Sequence, residues 1–97
     1  MQAAPNRFRP PLDVAIGSLH ITEAARELVT DADALRAISS HKRGDWGEAS
    51  DWARNDLELE RCNRVTGIHR TEAGQVFWVV TDLTRRTTML ALPSDYE

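Results

Sequence analysis

Apolar residues recur along this chain first without a period, then at helical spacing, then in near alternation. Residues 1–11 hold three of the four prolines and no periodic apolar pattern, so they read as an extended N-terminal arm ahead of a single domain over 12–97. The run from Leu12 to Leu19 suggests a short strand broken at Gly17, with nothing to fix its partner.

Thr22 is suited to cap a first helix over about 23–29, because its hydroxyl can accept from free amides of the first turn. Ala24, Ala25 and Leu28 then recur on one face. Thr30 and Asp33 have the spacing of a capping box with Asp in place of the usual Glu or Gln, and Leu35 and Ile38 carry an apolar stripe toward His41. This predicts a second helix over about 31–42, stopped at Gly44, where a left-handed residue costs least. Ser50 and Asp51 can cap a third helix, in which Trp52, Asn55, Leu59 and Cys62 share one face while Asp56, Glu58 and Glu60 stand off it.

After Arg64 the period becomes extended. Val65–Arg70, a turn at Thr71–Gly74, Gln75–Thr81, a turn near Asp82–Arg85 and Thr87–Leu92 read as hairpins in series. Val76, Phe77, Trp78, Val79 and Val80 are apolar on both alternations, as in a central strand covered on both faces, or by helices on one and a partner on the other. Pro93 ends the last strand, and Tyr96 is placed to fold back onto the sheet. The fold class that follows is α+β, with N-terminal helices packed on a C-terminal three-stranded antiparallel β-meander.

Composition narrows the picture. An apolar fraction of 41% and a charged fraction of 28% suit a globular domain that folds without a metal or staples. Cys62 is the only cysteine, so no internal disulfide can form, as in a chain that folds in a reducing compartment. With no signal-like apolar run and no stretch of about 18 apolar residues, a cytoplasmic protein without membrane contact is expected. The net charge of −3 disfavours generic nucleic-acid binding.

The densest unusual composition is His41-Lys42-Arg43-Gly44-Asp45-Trp46-Gly47. Its expected role is architectural: Trp46 plugs the core, Asp45 caps the next turn, and Gly44 and Gly47 supply positive φ. His20, His41, Asp45, Cys62 and His69 show none of the paired spacings of a zinc site, so neither a metal nor a cofactor is expected. Cys62 lies on the apolar face of the third helix, where a thiol is inert, and Ser39 and Ser40 point away from His41. An acid pair drawn from Asp45, Glu48 and Asp51 has little room for a sugar cleft. An enzyme is therefore not expected.

Two charged features remain. Asp45, Glu48, Asp51, Asp56, Glu58 and Glu60 are set against Arg54 alone over 45–60, a surface that repels nucleic acid and attracts a basic partner. A solvated helix explains them equally well. Arg85 and Arg86 at a hairpin tip, with Arg7 and Arg9 on the arm, form a smaller patch that could touch phosphates.

Taken in order, Gly44-Asp45-Trp46-Gly47, Asn55-Asp56, Arg64-Val65, the run from Phe77 to Asp82, Arg86-Thr87-Thr88, Leu92-Pro93 and Tyr96 form a pattern. It resembles a family of short proteins carried on bacterial plasmids, integrative elements and phages, often labelled plasmid-related or named as a restriction-enzyme subunit. The resemblance spans about residues 17–97. It departs between Gly47 and Asn55, where the chain is shorter, and at Cys62-Asn63, which replaces a Gly-rich pair. What it implies is an accessory or counter-defence role for a mobile element. The expected function is a non-enzymatic protein-binding accessory protein that inhibits a host defence complex, CRISPR or restriction. The alternative is a small nucleic-acid-binding or regulatory protein using the sheet face with Arg85 and Arg86.

Overall fold

The structure, a computed structural model, describes residues 12–96; the arm expected over 1–11 lies outside them, as does Glu97. The described chain runs β1 (Ser18–Ile21), α1 (Glu23–Leu28), α2 (Asp31–Lys42), α3 (Trp52–Glu60), β2 (Arg64–Arg70), β3 (Val76–Asp82), β4 (Thr87–Ala91) and a 3-10 turn at Pro93–Tyr96.

The local signals act as expected. Thr22 Oγ1 accepts from the Ala25 amide, and Thr30 and Asp33 close both arms of a capping box at 3.1 and 3.4 Å. At the end of α2 the amides of Gly44 and Asp45 reach back to the carbonyls of His41 and Ser40. With Gly44 at φ +82°, this is a Schellman stop. A Thr71–Gly74 turn, with Gly74 at φ +90°, joins β2 to β3.

The α+β class holds, but the sheet is four-stranded and mixed, not a three-stranded antiparallel meander. Its order is β1-β4-β3-β2, with β1 parallel to β4 and the other pairs antiparallel. The expected strand broken at Gly17 is a strand that starts after it. Gly17 takes φ +67° against the Arg86 backbone, the Ser18 amide donates to the Arg86 carbonyl at 3.0 Å, and Thr22 donates to Leu90 before capping α1.

The pleat sends Val65, Gly67 and His69, then Phe77, Val79 and Thr81, then Thr88 and Leu90, to one face. There Ala25 of α1, Val29 just past its end and Ala37 of α2 join Phe77, Val79 and Leu90 in a cluster. A second cluster joins Val14, Trp46 and Val65, flanked by Trp52 and Leu59 of α3. The third helix therefore sits toward the β2 edge, while α1 and α2 lie on the sheet.

Cys62 is not on the apolar face of α3. The helix ends at Glu60, and Cys62 follows it, exposed and left-handed at φ +57°. The Asn63 amide bonds to Glu58 and that of Cys62 to Leu59, a second Schellman stop, which overrides the apolar phase running through residue 62.

Candidate functional site

Strand β2 would be a bare edge, and the Gly44–Gly47 loop closes it. The Ile68 amide donates to the Trp46 carbonyl at 3.0 Å and the Glu48 amide to the Ile68 carbonyl at 2.7 Å, so Gly47 forms a parallel bridge with Ile68. At φ +64°, any side chain on Gly47 would collide with the Ile68 carbonyl oxygen. Asn55 of α3 continues the cover, donating to the Thr66 carbonyl at 2.8 Å and accepting from its amide at 3.2 Å. Trp46 has no exposed surface, and Asp45 accepts from the Gly47 amide at 3.0 Å.

The six acids of the middle segment do different jobs. Asp51 caps α3 through the Arg54 amide, and Asp56 turns inward to accept from Trp46 Nε1 at 2.9 Å. Glu48 pairs with Arg70 at 2.8 Å, and Glu58 accepts from Asn63 at 3.3 Å. Glu60 is exposed. On α3, Asp56 and Glu58 are about 160° apart around the axis, so these two carboxylates point to different sides, while Asp51 and Glu58 line one groove. Arg85 and Arg86 are exposed in the β3–β4 turn; Arg85 lies 3.9 Å from Asp82, and Arg86 is left-handed at φ +56°.

Of the candidate metal ligands, the structure brings His41 and His69 together with Asp45 near by, and leaves His20 on β1 and Cys62 beyond α3, both exposed. Among the described residues, no three His, Cys, Asp or Glu groups are placed to hold a metal ion. Burial drives the His41 pKa down from 6.5 to about 3, and neighbouring His69 pushes the same way. Burial also lowers His69, against the pull of Asp45 and Glu48 and together with Arg36. On α2, the Arg36 guanidinium holds the Asp33 carboxyl at about 2, below its usual 3.8, outweighing the opposing effect of burial.

The second face of the sheet is the one that the sequence offered to a partner or, in the alternative reading, to nucleic acid together with Arg85 and Arg86. It carries a row Ile68–Trp78–Ala91 and a row Thr66–Val80–Met89–His20. Neither apolar cluster draws on these residues. From the C-terminal turn, Tyr96 stacks on Trp78, ring centres 5.4 Å apart and planes 24° apart. Met89 is 38% exposed and Tyr96 47%. Arg54 and Glu58 of α3 meet Arg64, Thr66 and Ile68 along its β2 side in a shallow groove of about 370 Å³. The signal for this face was the apolar character of β3 on both alternations.

No helix among the described residues is long and apolar enough to cross a membrane. Comparison of the chain with protein-family models, with curated proteins and with solved structures finds no match.

Proposed function

We propose that this chain is a non-enzymatic protein-binding accessory protein that docks its partner through the second face of the sheet. The observation that carries the reading is an apolar patch outside both clusters, in which Met89 is exposed, Ile68 and Trp78 are half-buried, and Tyr96 stacks on Trp78. Aromatic and Met side chains inside a rim of Arg, Glu and Thr make up the composition of protein interfaces: an apolar middle to desolvate and a polar border to orient. Asp51 and Glu58, which line the groove on the β2 side, add acidity beside that face and favour a basic partner by steering. The resemblance to proteins of plasmids and phages supports a mobile-element role, with a CRISPR or restriction complex as the partner inhibited.

A second reading draws on the stacked Trp78 and Tyr96. Aromatic rings on a sheet are what single-stranded nucleic acid stacks upon, and Arg85 and Arg86 could meet its phosphates. The net charge of −3 works against it.

The test compares three folded variants for capture of purified CRISPR and restriction complexes and for binding of a labelled single-stranded oligonucleotide. They are Met89→Glu with Tyr96→Ala, Glu58→Lys, and Arg85→Glu with Arg86→Glu. The first should weaken protein capture at least about tenfold, as hot-spot losses do. The second should slow association and weaken its salt dependence. Capture untouched by the first pair removes the sheet face from the proposal; oligonucleotide binding abolished by the third favours the second reading.

A further inference from the structure

A line of polar groups runs through the interior between the two apolar clusters. Thr88 Oγ1 donates to the Ile16 carbonyl at 2.7 Å, an atom that can only accept. Thr88 is thereby left to accept from Thr81 Oγ1, 2.7 Å away, and Thr81 in turn to accept from His41 Nε2 at 2.9 Å. Each hydroxyl has one proton to give, so the direction of the whole line follows from the carbonyl at its end. His41 carries its proton on Nε2, and its Nδ1 presents a lone pair.

That Nδ1 is buried and has no hydrogen-bond partner among the protein groups, and the same is true of His69 Nε2 on β2. His41 as a whole has no exposed surface. Both nitrogens lie beside Gly67: a methyl group there would lie 2.9 Å from each, so they are at most about 6 Å apart. The other edge of the His69 ring lies under the loop, where a methyl group on Gly47 would be 3.0 Å from Nδ1. Asp45, whose carboxylate holds the Gly47 amide, favours positive charge on the His69 ring, as does Glu48. A proton on Nδ1, the nitrogen nearer the loop, would leave His69 Nε2 with a second lone pair turned inward.

Two lone pairs cannot satisfy each other, and both rings are held neutral by burial. A group that donates two protons satisfies both. We propose that the space beside Gly67 is a closed site for one water molecule, which donates to His41 Nδ1 and to His69 Nε2. Buried waters occupy such positions, bridging polar atoms that the chain leaves without partners. Any side chain at position 67 would press on both nitrogens, which glycine avoids. With the water in place, a continuous polar line joins β2 to α2, β3, β4 and the segment ahead of β1, crossing the protein from one sheet edge to the other.

The test uses chelator-treated, nitrogen-15-labelled protein at neutral pH. Long-range proton–nitrogen spectra of the imidazoles should read His41 Nδ1 and His69 Nε2 both as unprotonated, and a water cross-peak should appear at the Gly67 amide or the His41 ring. Gly67→Ala should abolish that cross-peak; if the variant does not fold, the wild-type protonation pattern and cross-peak decide alone. A proton found on His69 Nε2, bonded directly to His41, overturns the proposal. So does the absence of a water cross-peak. One equivalent of zinc or silver that shifts both nitrogens in a Cys62→Ser background would make the site a metal's and overturn it equally.

Discussion

Trp46 Nε1 donates to Asp56 Oδ1 at 2.9 Å, so a tryptophan with no exposed surface in the loop after α2 is bonded to the middle of α3. The bond uses one of the acids that the charge pattern had set aside for a partner. Trp46→Ala should lower the free energy of unfolding by about 3 to 5 kcal/mol through the void it leaves. Trp46→Phe retains most of the ring volume but removes the indole N–H that Asp56 accepts, and should cost about 1 to 3 kcal/mol. Urea denaturation checks both; a melting transition unmoved by Trp46→Ala removes the loop's architectural role.

What was legible in the chain was what is decided locally. Thr22, Thr30 and Asp51 each cap an amide three residues ahead, and all three bonds form. Short turns with Gly74 and Asp82 likewise mark β2 to β4 as hairpins in series. The pairing of β1 with β4 carries no such mark, because a parallel neighbour is reached through three helices and two strands rather than a turn. Asp45, Asp51 and Asp56 are close in sequence to Glu48, Glu58 and Glu60, yet closeness says nothing of direction, and these three aspartates are used by the fold itself. The imidazoles of His41 and His69 meet only because α2 lies across β2, a relation that no spacing encodes.

His41 makes stability depend on pH in a defined window. Its pKa is depressed from 6.5 to about 3, so the unfolded chain takes up a proton before the folded one does. The stabilisation is complete above the unfolded value and is lost as pH falls toward the folded one. At about 1.4 kcal/mol per unit, the loss should be about 2 to 3 kcal/mol near pH 4.5. His69, lowered as well, acts in the same sense. Asp33, held at about 2 by Arg36, keeps its contribution down to about its usual 3.8 and loses it only below that. Urea denaturation near pH 7 and near pH 4.5 should show the loss; equal stability at the two overturns it.

Gly17 and Gly74 both have positive φ, but their surroundings differ. A side chain on Gly74 meets open space, whereas one on Gly17 would collide with the backbone carbonyl of Arg86, the group that accepts from Ser18 where β1 joins β4. Gly74→Ala should therefore cost only the left-handed conformation, about 1 to 2 kcal/mol. Gly17→Ala should cost distinctly more and weaken hydrogen-exchange protection along β1. Equal costs would mean that the β1–β4 junction yields without loss.

Cys62 occupies the left-handed position just past α3, the place that glycine takes past α2 at Gly44. An L-residue there carries a steric cost of about 1 to 2 kcal/mol, while glycine carries about 0.5 to 1 kcal/mol of extra chain entropy. The thiol is exposed, so it contributes no buried contact to offset the strain. Cys62→Gly should therefore raise stability by about 0.5 to 1 kcal/mol. Cys62→Ser is the control: it removes the thiol and keeps the side chain, so it should leave stability within about 0.5 kcal/mol of the parent. Denaturant midpoints of the three proteins under reducing conditions decide the matter. If serine stabilises as much as glycine, the gain comes from losing the thiol and not from relieving the backbone. If glycine destabilises, the stop of α3 is not under strain at this residue.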